Sequence, residues 1–322
     1  MTAEETKFQI PDSRFQIPKV CLTIAGLDPS GGAGIVADIK TFTAFGCFAA
    51  AAITSLTFQN TTGVFGAIHQ TAESVRGQVE PVLQDFTVSA LKTGMLPTRE
   101  VIEEVARLVQ ENNLKNFVVD PVVRSTSGFD LIDDAALRSL IEKLFPLSDL
   151  ITPNLPEAER IARMKIESEA DIEKAAKIMQ KMGARNVLIK GGHILILDLG
   201  FGIADLKQSE PPASAGGFPE RKNKPQINTD ELRLESKGQR TKDKARKAKD
   251  FLFIGDELHI FEADFIETDA THGTGCTLAA AITANLALGK DLIEAVGIAK
   301  KFVTQAIRTA PNLGKGHSPI NI

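Results

Sequence analysis

The sequence predicts an α/β fold built on a mostly parallel central sheet with helices packed on both faces. Two observations predict it: short β-rich runs recur along the chain, and nearly every run leads through turn residues into an amphipathic stretch. With 322 residues, 43% of them hydrophobic, the chain can also bury a full core.

Taken in order, the strand candidates are Val20–Ala25, Ala50–Ser55, Ser89–Thr93, Asn116–Asp120, Asp149–Thr152 and Asn186–Lys190. Between them, Val101, Ile102, Val105, Leu108 and Val109 recur with the period of one buried helix face. A second helix is bounded by its own signals, Ser168 with Asp171 three residues on at the start and Gly183 at the stop. FLFIGDELHIFEA reads as two short strands around a Gly-Asp turn. Strands covered on both faces by crossover helices make a parallel sheet, and such sheets bind ligands at their carboxyl ends.

Two segments fall outside this alternation. Residues 1–18 repeat FQIP and read as an extended tail, without the charged-then-apolar layout of a signal peptide. From 199 to 249 the composition turns to Pro, Gly, Ser, Lys, Arg, Asn and Gln, which predicts a disordered, low-complexity insertion.

Composition excludes several classes. No apolar run approaches the ~18 residues of a membrane span, so a cytoplasmic protein without a membrane partner is expected. A net charge of −4 gives no general attraction to nucleic acid, and the basic run near 246 is offset by acidic neighbours. Cys21, Cys47 and Cys276 are too few and too scattered for a disulfide framework or a zinc site. Trp and Tyr are absent, so an aromatic ligand would stack on Phe, apolar side chains or peptide planes.

The chemically suggestive stretches all follow strand candidates. AGLDPSGGAGIVADIKTF opens a helix through Gly31, Gly32 and Gly34 but lacks the Gly-Lys-Ser/Thr of a P-loop. TFQNTTGV is read as a loop presenting Gln59, whose amide both donates and accepts. KTGML, VVDPV, TPNLPEA and LIKGGH each place polar residues at a strand end, where a capping role and a ligand role are both open. In ATHGTGCTLAA, Gly273, Gly275 and Cys276 precede an alanine-rich helix. A glycine turn there leaves unpaired N–H groups at the positive end of a helix dipole, which suits a phosphate, although a plain packing turn is equally consistent.

In this order LTIAG, DPSGGAGI, KTF, QNT, PNLPEA, KGGH and THGTGCT resemble the hydroxymethylpyrimidine/phosphomethylpyrimidine kinases of thiamine biosynthesis, in the ribokinase-like superfamily. The resemblance runs from about Val20 to Ile322, closing on GKGHSPIN and interrupted by the insertion. It implies a ribokinase-like three-layer sandwich, one kinase domain over 19–322, ATP and Mg²⁺ as cofactors, and a homodimer. The implied reaction is ATP-dependent phosphorylation of 4-amino-5-hydroxymethyl-2-methylpyrimidine, then of its monophosphate to the diphosphate.

Residue by residue, the resemblance gives Gln59 the ring nitrogen and amino group, with Gly26, Ala33, Asp38 and Met95 completing the pyrimidine pocket. Met95 equally suits a core filler. Lys190, Asn154, Thr271 and Gly273 fall to the nucleotide, and Asp120 and Glu157 to Mg²⁺ through water. Gly273, Gly275, Cys276 and Lys190 form the implied catalytic group. Where sugar kinases of the superfamily carry an aspartate base this chain has Cys276, a thiol whose pKa a helix N-terminus can lower. Base and packing roles both stand. His272 and His317 suit phosphate contact or loop packing alike. Two other readings stay in view, a pyridoxal kinase and an inactive ligand-binding or regulatory kinase homologue.

Overall fold

The computed structural model describes residues 18–123, 131–191 and 246–322. In chain order these form β1 (Val20–Leu27), α1 (Gly34–Ala44), β2 (Phe48–Asn60), β3 (Gly63–His69), α2 (Ala72–Asp85), β4 (Val88–Thr93), α3 (Arg99–Glu111), β5 (Phe117–Val119) and α4 (Asp134–Ser139). There follow β6 (Leu150–Ile151), α5 (Leu155–Ala162), α6 (Glu169–Lys181), β7 (Asn186–Lys190), β8 (Lys247–Ile254), β9 (Glu257–Asp264), α7 (Thr274–Ala287) and α8 (Leu292–Arg308). The strands make one nine-stranded sheet in the order β3-β2-β1-β4-β5-β6-β7-β8-β9. Pairing is parallel from β2 across to β7 and antiparallel at both edges.

Period-2 burial on both faces makes the sandwich. Leu22, Ile24, Val187 and Ile189 pack with α2 to α6, whereas Cys21, Ala90 and Leu188 point the other way into α1, α7 and α8. The predicted face of α3 is buried as expected, and Ser168 caps α6 by accepting from the Asp171 amide. β1 has β2 on one side and β4 on the other, so the chain reverses its direction across the sheet beside β1. That is where open α/β sheets bind ligands.

Two boundaries differ from the sequence reading. Gln59 is not in a loop: β2 continues to Asn60 and turns directly into β3, with Gln59 opposite Val64 after a bulge at Phe58. No β3 was expected there, because the outer faces of this edge hairpin carry Phe58, Phe65 and Ile68 in the open rather than an alternation of apolar and polar residues. The expected insertion also ends earlier than 249. Lys247 to Lys249 already belong to β8, and Lys247 faces Asp264 with an ion pair of 2.7 Å, so a charged run is strand because its partner strand is oppositely charged. The tail up to residue 17, the His193 end of KGGH and residues 199–245 of the insertion lie outside the described residues.

Candidate active site

The loop after β1 is organised by Asp28. Its Oδ1 accepts from the Ser30 amide at 2.8 Å and the Ser30 hydroxyl at 2.7 Å, and its Oδ2 accepts from the Ala33 amide at 2.9 Å and from His272 Nε2 at 2.7 Å. Burial works to raise the Asp28 pKa, but the bonds from His272 and Ser30 outweigh it and hold the carboxylate below its ordinary range. Asp28 thus fastens two loops 244 residues apart. Their glycines meet directly: Gly273, at φ +83, lies against the Gly32 carbonyl, where any Cβ would collide.

Gly273 is the N-cap of α7, and Thr274, Gly275 and Cys276 form its first turn. The Thr277 amide is the one that bonds back to Gly273 O, at 2.9 Å. The Gly275 and Cys276 amides therefore belong to the open positive end of the helix. A Cβ placed on Gly275 would stand 3.2 Å from Lys190 Nζ, so the lysine head sits directly over this turn.

Lys190 ends β7 and donates to Asp120 Oδ1 at 2.8 Å, an oxygen that also accepts from Thr152 Oγ1 at 3.0 Å. Asp120 Oδ2 is the oxygen neither bond uses. Burial works to raise the Asp120 pKa, yet Lys190 and Lys92 together hold it below the usual carboxylate range. Next to it Asn154 and Glu157 form a capping box at the start of α5, each side chain accepting from the other's amide at 2.8 Å. Burial pushes Glu157 up to about 7, against the pull of Lys190 and with the help of Asp120.

These groups line one cavity of about 570 Å³ together with Gly26, Ala33, Gln59, Met95 and Thr271. Its far end, missed in the sequence, is apolar: Ala248, Ala263, Phe265, Ile266 and Val303, with the Asp250–Lys300 pair (2.7 Å) beside them. The residues expected in the site are therefore gathered there, with one exception. Asp38 does not line the cavity. It is fully buried inside α1, where both carboxylate oxygens accept from Lys92 Nζ at 2.8 Å and Oδ2 also accepts from Thr23 at 2.7 Å. Cys276 also departs from expectation: burial, and then the nearby Asp120 and Asp38, push its thiol up to about 11, outweighing Lys92 and the Gly34 amide. His272 sits at the Gln59 end of the cavity, whereas His317 is exposed and its amide donates to Thr61 O on the β2–β3 turn at 2.8 Å.

Among the described residues no group of three or more His, Cys, Asp or Glu converges as a metal cage. Two buried carboxylates beside a turn of open backbone amides suit a divalent cation that keeps most of its water. No helix of the described residues is long and apolar enough to cross a membrane.

The phosphomethylpyrimidine kinase family model matches residues 28–200 and 234–321. The chain is 39% identical over 300 residues to the hydroxymethylpyrimidine/phosphomethylpyrimidine kinase of Bacillus subtilis, covering 93% of each. It is also 39% identical to a thiamine biosynthesis bifunctional protein of Geobacter sulfurreducens, over 93% of this chain but only 51% of that protein's length. Among solved structures, an ADP complex of Bacillus subtilis pyridoxal kinase superposes with a TM-score of 0.73 at 32% identity, over 94% of this chain and 97% of that one. A phosphomethylpyrimidine kinase of Clostridium difficile gives 0.66 at 34% identity, over 90% and 99%.

Proposed function

We propose, from the premise that the chain belongs to the phosphomethylpyrimidine kinase family, that it uses ATP to phosphorylate 4-amino-5-hydroxymethyl-2-methylpyrimidine and then its monophosphate, in thiamine biosynthesis. One observation carries the reading. A single cavity joins the Gln59 amide at one end to Lys190 and the first turn of α7 in the middle, with an apolar slot for a nucleobase beyond.

Phosphoryl transfer needs positioning and neutralisation of charge more than covalent chemistry. The Gly275 and Cys276 amides, the α7 dipole and the Lys190 ammonium face one point, where the transferred phosphoryl group would carry its charge. Asn154, Thr271 and Gly273 line the nucleotide side, and Gly26, Ala33, Gln59 and Met95 the pyrimidine side. Asp120 and Glu157 would hold Mg²⁺ through water. The ion, when bound, neutralises phosphate charge. With the thiol pushed up to about 11, Cys276 is protonated at neutral pH and acts by holding the acceptor hydroxyl rather than by removing its proton. The second phosphorylation needs no base, since a phosphate acceptor with pKa near ~6 is already ionised.

The likeness to a pyridoxal kinase structure favours one second reading, and a coupled ATP assay offering the pyrimidine alcohol, its monophosphate and pyridoxal in parallel separates them. Turnover of pyridoxal alone would reject the proposal, and turnover of none would point to an inactive homologue. We also read 19–322 as one cytoplasmic kinase domain acting on small molecules. The homodimer is supported by the outer face of the edge hairpin, where Phe58, Phe65 and Ile68 are 51%, 69% and 54% exposed. Light scattering of the wild type and of Phe65→Glu tests that contact.

A further inference from the structure

His272 Nε2 lies 2.7 Å from Asp28 Oδ2 and 3.3 Å from Gln59 Nε2, and Gln59 Oε1 lies 3.4 Å from Thr57 Oγ1. A carboxylate only accepts, so His272 Nε2 carries a proton, directed at Asp28. An amide nitrogen facing that N–H sets donor against donor. Turning the Gln59 amide by half a turn exchanges its two atoms in place and resolves the conflict. Its oxygen then becomes the weaker, second acceptor, at 3.3 Å, of the one His272 Nε2–H whose main bond goes to Asp28, and its nitrogen donates to Thr57 Oγ1. That hydroxyl is free to accept because its own proton goes to Leu27 O at 2.8 Å.

We infer that His272, oriented by Asp28, and Thr57 are positioning residues that lock the Gln59 amide in one orientation and so set which heterocycle edge the pocket accepts. This deepens the kinase reading above and rests on it. With one lone pair and one N–H committed to the protein, Gln59 keeps one acceptor and one donor for the ligand. Their order is fixed. That edge matches a ring nitrogen beside an exocyclic amino group and leaves an amide group unpaired against a heterocycle lacking the amino group. His272 itself is held by its amide, which donates to Ser318 O at 3.2 Å within the bridge to Pro319, and its ring lies so close to Gly32 that a Cβ there would strike it.

The test compares kcat/KM for 4-amino-5-hydroxymethyl-2-methylpyrimidine with that for the analogue lacking the amino group, in wild type, His272→Phe and Thr57→Val, with the KM for ATP measured alongside. The expected result is a roughly tenfold fall in the preference for the amino compound, the scale of one hydrogen bond lost from the network. In Thr57→Val the analogue's own kcat/KM and the KM for ATP should hold, whereas His272→Phe also releases Asp28 from the Gly273 loop and is read only through the ratio of the two pyrimidines. Thr57→Val keeps the shape of the side chain and decides the matter if the histidine variant does not fold. Equal losses on both pyrimidines, or an unchanged preference in both variants, would overturn the inference while leaving the kinase reading intact. A wild type that phosphorylates neither pyrimidine would instead bring down that reading, and this inference with it.

Discussion

Asp38→Asn separates a substrate ligand from a structural ion pair. Asp38 and Lys92 are both fully buried, joined by two contacts of 2.8 Å, and Asp38 takes a third bond of 2.7 Å from Thr23. Burial works to lower the Lys92 pKa, but the Asp38 carboxylate outweighs it and keeps the lysine charged. Asparagine preserves the volume and can still accept from Thr23, so the substitution leaves essentially one change, an unpaired ammonium inside the protein. Breaking a buried pair in this way costs about 3–5 kcal/mol, which in a domain of this size lowers the melting temperature by roughly 6–20 °C. Adding Lys92→Met should recover most of that loss, because removing both charges removes the desolvation penalty as well. The assays are urea and thermal unfolding, with the KM for the pyrimidine measured on each folded variant. A Asp38→Asn protein as stable as wild type but with a much higher pyrimidine KM would refute the reasoning and return Asp38 to the binding site.

Lys190→Ala is expected to lower kcat on the pyrimidine alcohol and on its monophosphate alike, because the lysine faces charge common to both reactions, and a loss on one acceptor only would contradict its placement over α7. Cys276→Ala should slow the first phosphorylation by about tenfold or less and the second hardly at all, as fits one neutral hydrogen bond, whereas a loss near ~10³-fold in the first step would mark a general base. Glu157, raised to about 7, binds a proton more readily folded than unfolded, so its contribution to stability falls as pH rises from about 4.5 to about 7. Glu157→Gln keeps the capping box and should flatten that part of the stability profile, and an unchanged slope would show the carboxyl is not the titrating group. β7 and β8 pair antiparallel with Lys190 opposite Asp250, so replacing 199–246 by a short Gly-Asn turn should preserve the melting temperature and the turnover. Loss of ATP turnover in the folded variant would show that the segment contributes to the site.

What was legible in the sequence is what local chemistry decides. The α3 face follows from its period, and Ser168 marks its helix because the cap lies three residues from the amide it binds. Residues at the carboxyl ends of β1, β4, β5, β6 and β7 could be placed in one site because parallel strands align those ends. The failures share the opposite cause. Nothing near Asp38 distinguishes a carboxylate that meets a ligand from one that meets Lys92, since the partner is 54 residues away and arrives with another strand. β3 and the start of β8 are strands because of what lies beside them, a hairpin partner in one case and the acidic Glu262 and Asp264 in the other.

Cys276 shows how the two kinds of cause compete at one atom. The helix terminus and Lys92 both favour the thiolate, as the local rule anticipates, but they act on a half-buried group whose partial burial, with two carboxylates nearby, favours the neutral thiol. Fuller burial holds Glu157 near 7, while Asp120, in the same cavity, stays ionised because Lys190 touches it directly. One lysine thus divides two neighbouring carboxyls into a permanent charge and a titratable one. The same Asp120–Lys190 contact fixes the lysine over the first turn of α7, so the charge of Asp120 and the position of Lys190 have one cause.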